Sequence, residues 1–205
     1  MPTKRKPEIT RLRILKAAFE EMHRNGFQGM RMDAIAEKTG VKKGTLYYHF
    51  ASKQALGYAV LEEVILARIQ KIWIEPLNEL DDPITGIQSI FTAYKENWGP
   101  VFFTLGCPLN NLAQEMAPID EGFRERIQSF YKKWQITMSH ALTRGQKKGF
   151  VKNNINVNES AEFIITAAVG AFAQAKINQD ETHYSSCGRQ LDRYLETLAA
   201  NTKEI

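Results

Sequence analysis

Three observations predict an all-α fold. Apolar residues return at spacings of three and four through the longer segments. No segment alternates long enough for a strand. Gly or Pro stands where most periodic runs stop. The order of the runs predicts an N-terminal three-helix domain containing a helix-turn-helix over residues 1–52, followed by a larger helical domain over 53–205.

The first helix is predicted over 8–25, where Ile9, Leu12, Leu15, Phe19 and Met22 form one stripe and Gly26 supplies a left-handed C-terminal position. A short second helix over 32–39 centres on Ile35 and Ala36 and stops at Gly40. The third, over 43–50, is held by Leu46 and Phe50, four residues apart on one face. A longer apolar helix follows over 53–75, and Pro76 and Pro83 bracket a loop. The next helix, over 84–98, is expected to break at Gly99–Pro100. Helices over 108–116, 120–148, 159–178 and 183–201 complete the chain, with a turn at Asn153–Asn154 and Asn156.

Charge separates the two ends. Residues 1–60 carry twelve Lys or Arg against five Asp or Glu, and residues 61–205 carry fifteen against eighteen. The basic end is built to meet a polyanion. Its helices lack the broad apolar face of an interfacial helix, and no run of eighteen apolar residues exists, so no membrane partner is expected. Two cysteines are too few for a disulfide scaffold, and the scattered His and Cys show no metal-ligand spacing, so neither metal nor cofactor is expected. The simple expectation is a soluble cytoplasmic protein.

The segment Gly40–Val41–Lys42–Lys43–Gly44–Thr45–Leu46–Tyr47–Tyr48–His49–Phe50, with Lys53 beyond it, gathers basic, hydroxyl and aromatic side chains on a short helix after a turn. Such a helix can enter a DNA major groove. Together with Gly26–Phe27, Ile35–Ala36, Thr39–Gly40–Val41 and Leu56, these residues resemble the TetR/AcrR family of bacterial transcriptional regulators over roughly the first quarter of the chain. The remainder is similar to family ligand-binding domains in helix order, and Gly106–Cys107–Pro108–Leu109–Asn110–Asn111–Leu112–Ala113 looks like a motif of one subset. The resemblance implies a homodimer on a palindromic double-stranded operator, repressing until a small-molecule effector binds. Two positions depart from the family pattern: Met30–Arg31 stands where hydroxyl residues usually open the second helix, and Lys42 where Ser or Thr usually follows the turn. Each change removes a cap worth about 1 kcal/mol. Arg31 and Lys42 can instead reach phosphates, which makes binding more salt-sensitive.

By family position, Tyr48, His49 and Lys53 are expected to contact the DNA backbone, with Tyr47 on the adjoining edge; a buried structural imidazole remains the other reading of His49. Lys43 and Thr45 lie where base edges come within reach, Lys for guanine O6 or N7 and Thr for a thymine methyl. Gly44 leaves room for close approach.

The second domain is rich in large apolar groups, and Tyr94, Trp98, Phe102, Phe103, Trp134 and Phe172 are candidates to line an effector cavity, with Asn110 or Asn111 as polar handles. A filled core without a cavity is the alternative. Cys107 stands at the start of a short helix, whose free N–H groups favour a thiolate, and Lys176 is the one Lys in an apolar run. If the two meet, the thiol can sense electrophiles or oxidants; a buried inert Cys beside a noncovalent ligand is the other reading. Residues 159–201 are expected to form the dimer interface through Ala161, Ile165, Ala168, Phe172, Leu191, Tyr194, Leu195 and Leu198, although these can also face the subunit's own core; the rival interface is 120–148. No acid–base or nucleophile–base arrangement points to an enzyme, and sequence-dependent duplex binding separates a regulator from a noncatalytic adaptor.

Overall fold

The computed structural model describes residues 5–200, apart from the side chains of residues 5, 6, 98 and 99. It is helical along the described chain, with one isolated antiparallel bridge between Val151 and Ala199. The helices are α1 (Arg5–Gly29), α2 (Met32–Thr39), α3 (Lys43–His49), α4 (Lys53–Val60), α5 (Ala67–Ile69), α6 (Glu75–Glu79), α7 (Pro83–Leu105), α8 (Pro108–Met116), α9 (Glu121–Lys147), α10 (Val157–Asn178) and α11 (Thr182–Leu198). Leu61–Leu66 and Gln70–Ile74 are π-helical and join α4, α5 and α6 without an intervening loop. The chain divides into two compact units, one of residues 1–68 and 111–127, the other of 69–110 and 128–205. Part of α8 and part of α9 belong to the N-terminal unit.

In the N-terminal unit, α1 buries Ile14, Leu15, Ala17, Ala18 and Met22. Ile9 and Leu12 from the expected stripe are 57% and 62% exposed. The unit's core continues through Phe27, Met30, Ile35, Leu46, Phe50, Leu56 and Phe123. The helical path runs past residue 25 because Gly26, at φ 76° and ψ 171°, kinks the chain and lets Phe27 turn inward. Only glycine adopts that backbone without strain. A Cβ there would also lie 2.9 Å from Glu115 Oε1. The Glu115 carboxylate accepts the Phe27 and Gln28 amides at 2.9 and 2.8 Å, filling the bonds that the kink takes from the helix. Phe27 packs edge-on to Phe123, with ring centroids 4.8 Å apart. Gly40, at φ 66° and ψ 18°, closes α2 in the left-handed conformation, as its place before the turn predicts.

In the second unit, α7, α10 and α11 pack around Phe91, Tyr94, Phe102, Phe172 and Tyr184, and Tyr184 donates to the Phe91 carbonyl at 2.8 Å. Two expected breaks are absent. Pro76 sits near the start of α6, directly after the π-helical Gln70–Ile74, and the helical path runs on to Glu79. α7 continues through Pro100 to Leu105, because burial of Tyr94 and Phe102 on either side outweighs one lost backbone bond. Asp82 and Asn156 cap α7 and α10 through their side chains.

Candidate DNA-binding surface and effector cavity

α2, the Gly40 turn and α3 form the helix-turn-helix. Thr39 Oγ1 donates to the Ile35 carbonyl at 2.7 Å, and the Val41 amide donates to Ala36 O at 3.1 Å, so the turn is bonded to α2. Leu46 and Phe50 anchor α3 at 1% and 4% exposure. With that face buried, Lys42, Lys43, Thr45, Tyr47 and Tyr48 are left exposed, and Arg31 is exposed at the start of α2. Tyr48 is 82% exposed, which packing alone does not explain for a large aromatic between two buried anchors. Gly44 has open space where a Cβ would stand. Arg31 and Lys42 occupy extended N-cap positions and make no side-chain cap, as their chemistry requires.

Three basic or aromatic groups carry intramolecular contacts as well. Lys43 Nζ lies 2.7 Å from Asp33 Oδ1, both side chains largely in solvent. This bond and the attraction of the charges hold the Asp33 carboxyl below, and the Lys43 ammonium above, their ordinary values. His49 is half-buried, its ring edge-on to Tyr48 at 5.3 Å. Lys53 Nζ donates to the Gln28 carbonyl at 2.8 Å and lies 5.2 Å from the Phe27 ring centroid. Its ammonium therefore supports the end of α1 in addition to any phosphate it meets.

In the second unit, Tyr94, Cys107, Trp134 and Phe172 converge with Ile69, Trp73, Leu109, Tyr131 and Val169 around a small enclosed cavity. Four of the residues singled out in the sequence are thus brought together. Others are not. Phe103 is half-buried against Tyr184, with ring centroids 6.0 Å apart, and lies off the cavity lining. Asn110 and Asn111 are half-exposed, likewise off the lining, and Asn111 belongs to the N-terminal unit. The side chain of Trp98 lies outside the described residues. Lys176 is exposed, because the buried face of α10 runs through Phe172 and Ala175 instead.

Of the two readings of Cys107, the geometry is that of a buried thiol. Cys107 is buried, and loss of hydration pushes its thiol up. The Asn110 and Leu109 amides of the α8 start and the Tyr94 hydroxyl act in the opposite direction and are outweighed. Lys176 is not among the groups acting on it. Burial likewise raises the Tyr131 phenol. The lining carries no side chain charged at neutral pH.

Residues 14–60 match the model of bacterial regulatory proteins of the tetR family, and residues 83–191 match the tetracyclin repressor-like C-terminal domain. The chain belongs to the TetR family. It is 25% identical over 185 residues to the HTH-type transcriptional repressor DhaR of Mycobacterium sp. strain GP1, covering 88% of this chain and 87% of that protein. It is 28% identical over 181 residues to the HTH-type transcriptional regulator UidR of Escherichia coli K12, covering 84% of each. A TetR transcriptional regulator from Chloroflexus aurantiacus superposes with a TM-score of 0.84 at 24% identity, over 96% of this chain and 98% of that one.

This TetR-family chain is therefore a DNA-binding transcriptional regulator with the family's helical architecture. Several of its site residues were not legible in the sequence. Glu115 and Asp120 reach the N-terminal unit from some ninety and sixty residues away: Asp120 accepts from Tyr58 and Gln54 at 2.8 and 2.7 Å. Trp73 and Tyr131 join the cavity from helices where periodicity marks them only as apolar or aromatic. Among the described residues, no group of three His, Cys, Asp or Glu is placed to hold a metal, and no helix is long and apolar enough to cross a membrane.

Proposed function

We propose that this TetR-family regulator is a repressor that binds a palindromic operator as a homodimer and leaves it when a small organic molecule occupies the aromatic cavity of the second unit. The division of labour is DNA reading by residues 1–52 and effector binding and dimerisation by 53–205. The exposed row on α3 carries the DNA reading: Lys43, Thr45, Tyr47 and Tyr48 stand in solvent while Leu46 and Phe50 hold the helix. Arg31, Lys42, His49 and Lys53 supply backbone contacts around it. The relative DhaR is a transcriptional repressor, which supports the sign of regulation.

Dimerisation rests on a face of α10. The stripe through Ala161, Ile165, Ala168 and Phe172 is buried within the subunit, as are Leu191, Leu195 and Leu198 of α11. A different stripe stays outside: Phe163 and Ile177 are 50% and 72% exposed, and Gly170 between them has open space at its Cβ position. Two such faces can approach closely across a two-fold axis. The buried Cys107 thiol favours noncovalent binding over covalent sensing, since the neutral thiol is a poor nucleophile.

Selection of bound duplexes from a random library tests this reading. A palindromic consensus, with release of the duplex by a small organic compound, is expected. Binding without sequence preference, or a monomer that binds single half-sites, would replace it.

A further inference from the structure

Trp134 is 3% exposed, and its indole Nε1–H has no hydrogen-bond acceptor among the described residues. A buried donor left without an acceptor is costly, and native folds retain few of them. The ring is held in place by Trp73 and Tyr131, whose centroids lie 5.2 and 6.1 Å away. Trp134 also forms part of the cavity wall, beside Tyr94, Cys107 and Leu109. That cavity has a volume of about 10 Å³, on the measure by which one water needs roughly 10–15 Å³. An organic molecule needs more space, and the fold supplies it nearby. An open apolar hollow of about 480 Å³ runs along α7 past Ile72, Pro76, Ile90, Ala93 and Asn97, and Tyr94 lines both it and the cavity. Neither lining holds a charged side chain. A carboxylate or ammonium on the ligand would lose its hydration there without gaining a partner.

We infer that the effector is an uncharged, largely apolar molecule carrying a carbonyl or ether oxygen, which enters through the α7 hollow, displaces Tyr94 and accepts the Trp134 indole N–H. This rests on the reading of the second unit as the effector domain and names the chemistry its site selects. The apolar walls provide most of the affinity, and the indole provides the discrimination. A site with a buried donor rejects ligands that leave it unpaired.

The test uses the full-length protein and three probes. Acetophenone and ethylbenzene share a shape and differ by the carbonyl oxygen, while benzoate adds a negative charge. The chain has three tryptophans, so its indole N–H signals are few, and Trp134→Phe identifies the one from residue 134. Acetophenone is expected to shift that signal in a saturable way and to bind about fivefold to tenfold tighter than ethylbenzene. Benzoate is expected not to bind. In Trp134→Phe, acetophenone should fall to the affinity of ethylbenzene while ethylbenzene keeps its own. The wild-type measurements stand even if the variant folds poorly. Equal wild-type affinities for acetophenone and ethylbenzene, an unmoved Trp134 signal on saturation, or no acetophenone binding up to its solubility would each overturn the inference. Operator binding is measured separately. Release by a compound that leaves Trp134 unchanged would overturn the inference and keep the repressor reading. Acetophenone bound at Trp134 with the operator still held would do the reverse.

Discussion

Charge and burial of single groups decide how the two surfaces behave. The Lys43–Asp33 pair is largely in solvent, so its strength is modest and salt-sensitive, yet it occupies a cation that the proposed function assigns to DNA reading. Asp33→Asn should release Lys43, raise affinity for all duplexes, and steepen the dependence of affinity on salt by up to about one unit of slope. Fluorescence anisotropy across a salt series checks this; an unchanged slope would mean that the Lys43 ammonium meets no charge on the duplex. Thr45→Ala is expected to change which bases are preferred, whereas Tyr48→Phe should weaken every duplex alike. At Cys107 the sign of the thiol shift sets reactivity. Its pKa is raised by burial, so at neutral pH it is protonated and shielded, while Cys187 is only half-buried. Cys107 should therefore alkylate more slowly than Cys187 in single-cysteine variants. A faster Cys107 would restore the thiol-sensing reading.

At the scale of elements, two glycines make a matched pair. Gly26 has positive φ and lies against Glu115, while Gly44 sits in open space within α3. Gly26→Ala should destabilise the protein by about 1–3 kcal/mol through backbone strain and the displaced carboxylate. Gly44→Ala should stabilise α3 by up to about 1 kcal/mol. The same change should weaken DNA binding if the helix backbone approaches a phosphate closely. Urea unfolding beside operator titration separates the two effects. The Asp120 carboxylate joins α9 to α4 in the same unit. Burial opposes its charge, but the Phe123 amide, the Tyr58 hydroxyl, Gln54 and the Gly122 amide overcome that and hold its pKa below the ordinary value. A depressed folded-state pKa means the unfolded chain takes up the proton first. This stability is thus present above the ordinary carboxylate pKa, about 3.9, and is lost as pH falls from there through the lower folded value. Asp120→Asn should flatten the acid limb of the stability curve.

For the whole molecule, the decisive quantity is what remains exposed after each unit has packed. Gly170 on α10 has open space where a Cβ would stand, and Gly170→Glu replaces a weak helix residue with a good one. It should keep the fold and helix content but shift the protein toward monomer in sedimentation, with operator affinity falling as the second half-site is lost. A dimer unaffected by that charge would place the interface elsewhere, with residues 120–148 as the next candidate. On the proposed route from the α7 hollow to Trp134, effector binding displaces side chains of the second unit, because the cavity beside Trp134 holds only about 10 Å³. Affinity is then reduced by the population of the closed arrangement.

The sequence by itself determined the helical class, the helix-turn-helix, the two uncapped helix starts at Arg31 and Lys42, and the burial of Leu46 and Phe50. These are local: a period, a turn glycine and a missing hydroxyl act within a few residues. The apolar stripes of α10 and α11 were legible as stripes, but which one faces a partner was not, since the same spacing fits either side. Tertiary structure decided that Ala161, Ile165, Ala168 and Phe172 turn inward and Phe163 and Ile177 outward. It also carried α7 through Pro100, brought Glu115 to the Gly26 kink, and buried the Cys107 thiol while leaving Lys176 exposed. The physical reason is common to all of them. Burial of large side chains outweighs local breakers, and long-range hydrogen bonds and desolvation depend on distances that residue spacing along the chain does not encode.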